Sequence, residues 1–243
     1  MIQEIENMKT IAKIDPAMLM GEIITWKIIA KEVAVNTLRN ALVNNGLDPS
    51  FVTELAPRNA FSRACRMLDE NRVIRKLEET DAVIVFQFTK EELDKHANRI
   101  DYSVETKVTL AKASGTVSVS NGDTQLESYA QQLIYHNLQH RKTGDVTTLV
   151  QKMFSTRGDI FSIREQGGAY FVPAELRSFT EQVEKFVEEI GGEMSRFPVP
   201  KGTAEGTKAV KHAVDDGLQA LLNELNAKVE QFNDKTRVTT LEH

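Results

Sequence analysis

The chain has a single cysteine in 243 residues, Cys65, which excludes a disulfide scaffold and a cysteine-based zinc site. It has one tryptophan, six prolines and 13 glycines, too few of the last two for a collagen-like or linker-dominated chain. No apolar run approaches the ~20 residues of a membrane span. The opening residues, MIQEIENMKTIAKIDP, carry acids and lack the apolar core of a secretory signal, so a cytoplasmic protein is expected. Nor is there an excess of basic residues. Thirty Lys+Arg against 35 Asp+Glu give a net charge of −5, so any polyanion must be met by a local patch. What is present is 41% hydrophobic residues, enough to exclude a disordered chain and to build one large domain or two small ones.

Hydrophobic spacing predicts the elements. Glu22 to Ile29 alternates Ile24, Trp26 and Ile28 against Thr25 and Lys27, the period of a half-buried strand. A helix is expected from about Lys31 to Asn44, ended by Gly46, and a second from Pro57 to Glu70 with Phe61, Ala64, Cys65 and Leu68 inward. Cys65 is expected there as a small buried hydrophobe. Strands follow at 72–78, 82–88, 102–110 and 116–120, with a tight turn at Glu79-Thr80-Asp81. Strands that succeed one another without alternating helices predict an α+β protein. Residues 1–120 form its antiparallel sheet domain, with two helices inserted after the first strand.

The remainder changes character. A helix from about Asp123 to Gln139, a turn at Lys142-Thr143-Gly144 and a short helix from Val146 to Phe154 lead to a hairpin. Its strands are 160–164 and 169–173, joined by Glu165-Gln166-Gly167-Gly168. Helix, turn, helix and hairpin in that order suggest a winged-helix-like module within residues 121–192. An amphipathic helix over 175–190 completes the segment. An extended stretch and a long helix from about Thr203 to Phe232 fill residues 193–240. In that helix Val214, Leu218, Leu221 and Leu225 approximate a heptad seam, a candidate homodimer contact against the alternative of packing on its own domain. Leu241-Glu242-His243 read as the start of a purification-tag scar.

Charge singles out the same module. Residues 131–173 hold five basic residues against three acids, whereas residues 1–130 (16 against 19) and 174–235 (8 against 12) are acidic. Arg141, Lys142, Lys152, Arg157 and Arg164 are therefore the candidate phosphate contacts of a DNA-associated protein. The second helix, VTTLVQKMF, offers few groups to base edges beyond Thr147, Thr148, Gln151 and Lys152, which argues against sequence-specific reading.

His136 and His140 stand four apart on a predicted helix, a spacing that can chelate a metal. Asn137 occupies the place of the glutamate in H-E-x-x-H, so surface histidines are expected and no metal site. No G-x-x-x-x-G-K-[ST], G-x-G-x-x-G or G-x-S-x-G occurs, so neither a nucleotide cofactor nor a serine nucleophile is expected. Adjacent acids such as Glu188-Glu189 and Asp215-Asp216 point apart on a helix and read as solvated faces. Catalytic residues are not expected.

The segments GEIITWKI, LRNALVNNGLDP, PRNAFSRACRML and above all IREQGGAYFVP, followed by an amphipathic helix, resemble an uncharacterised domain family of bacteriophages and mobile elements. The resemblance covers most of residues 20–200. It implies an origin and no catalytic residues. Such an origin suits a non-catalytic DNA-associated role, or a protein–protein module such as an inhibitor of a host protein or an assembly factor.

Overall fold

The structure, a computed structural model, describes residues 16–68, 73–94, 99–157, 160–163 and 168–231. The chain is α+β, its sheets antiparallel, and it divides into two compact units. The split unit takes the chain up to Ala30, residues 44–47 and everything from Thr147 on. The insert unit takes 31–43 and 48–146.

In the insert unit, β3 (Val73–Glu79), β4 (Val83–Asp94), β5 (Arg99–Ala111) and β6 (Thr116–Val119) form a meander in that order. Alternation puts Ile84, Phe86 and Phe88 of β4, Val108 and Leu110 of β5, and Val117 and Val119 of β6 on one buried face. Two helices close that face. Ala60, Phe61, Ala64 and Cys65 come from α2 (Pro57–Leu68), and Ala130 and Ile134 from α3 (Thr124–Gln139), each set at helical spacing. Phe61 meets Phe86 edge-on at 5.5 Å between ring centres. Cys65 is fully buried as expected, and burial pushes its thiol up to about 12, far from the reactive range. Pro57 opens α2 where a missing N–H costs nothing, and the Asp123 carboxylate caps α3 by accepting from the Gln125 and Leu126 N–H groups.

Glu32 to Ala34, expected as the start of a helix, is instead a short strand, β2 (Glu32–Ala34). It pairs antiparallel with β7 (His140–Lys142) before α1 (Val35–Asn44) begins. Pairing across a separation of about a hundred residues overrides the local helical pattern there.

The split unit holds a second antiparallel sheet of β1 (Leu19–Ile28), β8 (Phe161–Ser162), β9 (Tyr170–Pro173) and β10 (Gly192–Pro200), in the order β10-β1-β9-β8. Here the expectation for the first strand is corrected. β1 does not head the sheet of residues 73–119 but pairs with β10 from Ile28↔Gly192 to Leu19↔Pro200, and with β9 from Ile24↔Tyr170 to Gly21↔Pro173. Gly21 permits the approach: a Cβ there would strike the Val172 carbonyl oxygen and lie 2.6 Å from the Phe171 ring. Trp26 stacks on Tyr170 at 5.0 Å, and Phe154 meets Phe179 edge-on at 5.4 Å. α4 (Thr143–Arg157) buries Leu149, Val150, Met153 and Phe154, and the unit boundary falls within it, between Val146 and Thr147. α5 (Arg177–Glu189) buries Phe179, Val183, Phe186 and Val187, and Gly191, at φ 77°, turns the chain into β10. The last element of the described residues is α6 (Ala204–Gln231).

The hairpin expected at 160–173 pairs Phe161 with Phe171 and Ser162 with Tyr170. Its second strand is interior to the sheet, bonded to β1 on the other side.

Candidate nucleic-acid interface

The short pair β2/β7 organises the cationic residues of the insert unit. Strand alternation turns Arg141 inward and Lys142 outward. Arg141, expected as a phosphate contact, is only 7% exposed. Its Nη1 donates to the carbonyls of Asn137, Leu138 and His140 at 3.3, 3.2 and 2.9 Å, and its Nη2 to that of Thr53 at 2.9 Å. Three of these carbonyls lie at the end of α3 or just after it, where helical oxygens lack partners, so the guanidinium works as a C-terminal cap. Burial lowers its pKa from the ordinary arginine value.

Lys142 is exposed, and its Nζ stands 3.7 Å from the Met67 sulfur on α2. Its backbone N–H donates to Asp145 Oδ2 at 3.0 Å. The same carboxylate receives Arg63 in a two-pronged bond, Nη1 at 2.6 Å and Nη2 at 2.7 Å. Burial alone would raise the Asp145 pKa. The bonds from Arg63 and the Lys142 N–H outweigh it and hold the carboxyl below its usual range, while Asp145 raises that of Arg63.

Arg63, Arg66, Met67 and Lys142 line an open concavity of about 500 Å³. Arg63 and Arg66 lie three apart on one face of α2, and the exposed Arg66 and Lys142 complete the cationic wall. The Asp145 charge is already committed to Arg63, so the lining keeps an excess of positive charge. The sequence reading passed over Arg63, Arg66 and Met67. Their i, i+3 spacing was the available signal, but the acids elsewhere in residues 1–130 masked it in the charge sum.

Lys152 and Arg157 belong to the split unit and are exposed on the later turns of α4. The Arg157 guanidinium lies 5.5 Å from the centre of the Phe179 ring, a cation–π distance. Gln151, weighed as a base-reading group, donates to the Tyr170 hydroxyl at 2.8 Å. Arg164 lies outside the described residues.

His136 and His140 stack ring on ring at 4.1 Å, and His136 Nε2 stands 3.3 Å from Glu32 Oε2. His140 Nδ1 is 3.1 Å from the His136 carbonyl, within its own helix end. Among the described residues no three His, Cys, Asp or Glu side chains gather as a metal-binding group, and no helix is long and apolar enough to cross a membrane.

The chain belongs to a family of unknown function, DUF6744, whose model matches residues 19–243, a span that takes in Leu241-Glu242-His243. No curated protein and no solved structure matches the chain.

Proposed function

We propose that this is a non-catalytic protein that holds the phosphate backbone of DNA in the Arg63–Arg66–Lys142 concavity. The observation that carries the reading is that concavity itself. It has three cationic side chains, an aliphatic thioether floor and one nearby carboxylate already bonded to Arg63. Arg66 and Lys142 make the contacts, and Arg63 contributes a fixed, partly neutralised guanidinium behind them. Lys152 and Arg157 are further phosphate contacts on the split unit. Arg141 drops out of the original set, because its donors are engaged by carbonyl oxygens. Backbone contact without base readout makes the binding indifferent to sequence and steeply salt-dependent.

The test is fluorescence anisotropy of a generic duplex at two salt concentrations. Replacing Arg66 and Lys142 together by glutamine is expected to weaken binding roughly tenfold and to reduce the salt slope by about 2. Affinity and slope unchanged in that variant overturn the site. Loss only on replacing Lys152 and Arg157 moves the interface to the split unit. A wild-type chain that ignores DNA at low salt leaves the protein-partner reading.

A further inference from the structure

α6 changes its environment halfway along. In its first half Ala213 is 2% exposed, and a Cβ on Gly217 would lie 2.8 Å from the Phe161 ring of β8. That half packs on its own unit. Beyond Gly217, Leu218, Leu222, Leu225 and Val229 are 50, 53, 49 and 64% exposed. Their steps of four, three and four keep them within a sector of about 60° at 100° per residue. The sector is turned by about 120° from the face that carries Val210, Ala213 and Gly217. The exposed stripe is therefore a separate face of the helix, not the frayed end of the packed one.

We propose that this stripe is a two-stranded, parallel coiled-coil seam that pairs with a second copy of the same chain. The spacing assigns Leu218 and Leu225 to heptad position d, and Leu222 and Val229 to position a. Leucine at d with a β-branched residue at one of the a positions is the combination that favours two parallel strands. The flanking e and g positions, by numbering alone, are Gln219, Leu221, Asn226 and Lys228, which put no like charges opposite one another across a parallel pair. One heptad earlier the a and d positions fall on Asp215 and Lys211, both exposed. Charge therefore stops the seam where packing on the chain's own unit takes over. A foreign partner would require no such self-consistent register. A second copy does.

Two of the four residues expected in the seam, Leu218 and Leu225, lie on the stripe, while Val214 is half-buried. The side chain of Leu221 is not among those described.

Sedimentation velocity of the full chain over a concentration series tests the proposal. The expected result is a concentration-dependent dimer that Leu222→Glu with Leu225→Glu converts to monomer, with the thermal midpoint of both units kept. If the glutamates unfold the chain, Leu222→Gln with Leu225→Gln is used in their place, and Leu77→Glu, at an exposed leucine outside the stripe, leaves the dimer intact. A wild-type chain that stays monomeric to millimolar concentration overturns the proposal. So does a dimer that survives the paired substitutions. None of these outcomes depends on the anion site, because DNA is absent from the experiment.

Discussion

Two arginines, one from each unit, are withdrawn from solvent, Arg141 buried and Arg196 half-buried, and they are satisfied in opposite ways. In the split unit Arg196 of β10 is clamped by carboxylates: Nε and Nη2 reach Glu22 at 2.7 and 2.9 Å, and Nη1 reaches Glu184 at 2.8 Å. Glu22 on β1 is itself buried, and Arg177 approaches it to 3.9 Å. In the insert unit Arg141 has only carbonyl oxygens as hydrogen-bond partners among the described residues. Burial depresses both guanidinium pKa values. For Arg196 the bonds from Glu22 and Glu184 more than reverse it, and for Arg141 the net shift stays downward. The first arrangement joins helix to sheet through opposite charges. The second ends a helix through its dipole, with the Asp145 and Glu54 carboxylates acting on the guanidinium only through space.

Removing the ionic member has the largest expected effect. Arg196→Met strands the buried Glu22 carboxylate and is expected to cost about 3–5 kcal/mol in urea unfolding. A cost below 1 kcal/mol would mean that the network is no more than a surface ion pair. Arg141→Met leaves four carbonyls without their donor, for about 2 kcal/mol. Arg141→Lys recovers only part of it, because an ammonium cannot span the carbonyls of α3 and Thr53 together. Full recovery by lysine would refute the capping role.

The smallest effect is read in acid. The folded pKa of Asp145 lies below its unfolded value, so the folded state binds its proton less readily and stability rises with pH through the acid range. The stability lost in Asp145→Asn is therefore fully present above about pH 4 and vanishes as pH falls through the lowered value. Urea midpoints of the two proteins that stay equally separated down to pH 2 would disprove the Arg63–Asp145 linkage.

The same contrast explains what the sequence made legible. Apart from β2 and β7, the helices and strands of the insert unit follow local sequence pattern, and Phe61, Ala64 and Cys65 were readable as core residues. β1 was readable as a strand but not as a partner of β10, since Leu19 and Pro200 meet across a separation that periodicity does not report. Arg141 and Lys142 are adjacent and equally basic, so composition counts them alike. Only the pairing of β2 with β7 decides that one faces the interior and the other solvent. Arg66 was missed because Lys142, the residue that faces it across the concavity from outside α2, comes from a segment more than seventy positions away.

The division of the chain also sets an order of events at the ribosome. Every residue of the insert unit has been synthesised once Val146 is added, and that unit is free to fold while translation continues. β1 has emerged before it but waits for Tyr170–Pro173 and Gly192–Pro200. At 5–20 residues per second that is roughly 10–30 s in which an apolar strand has no sheet to join. The first strand of the described residues is thus among the last to be paired. A nascent chain stalled before residue 170 would carry every residue of the insert unit and, ahead of it, a strand still without its partners.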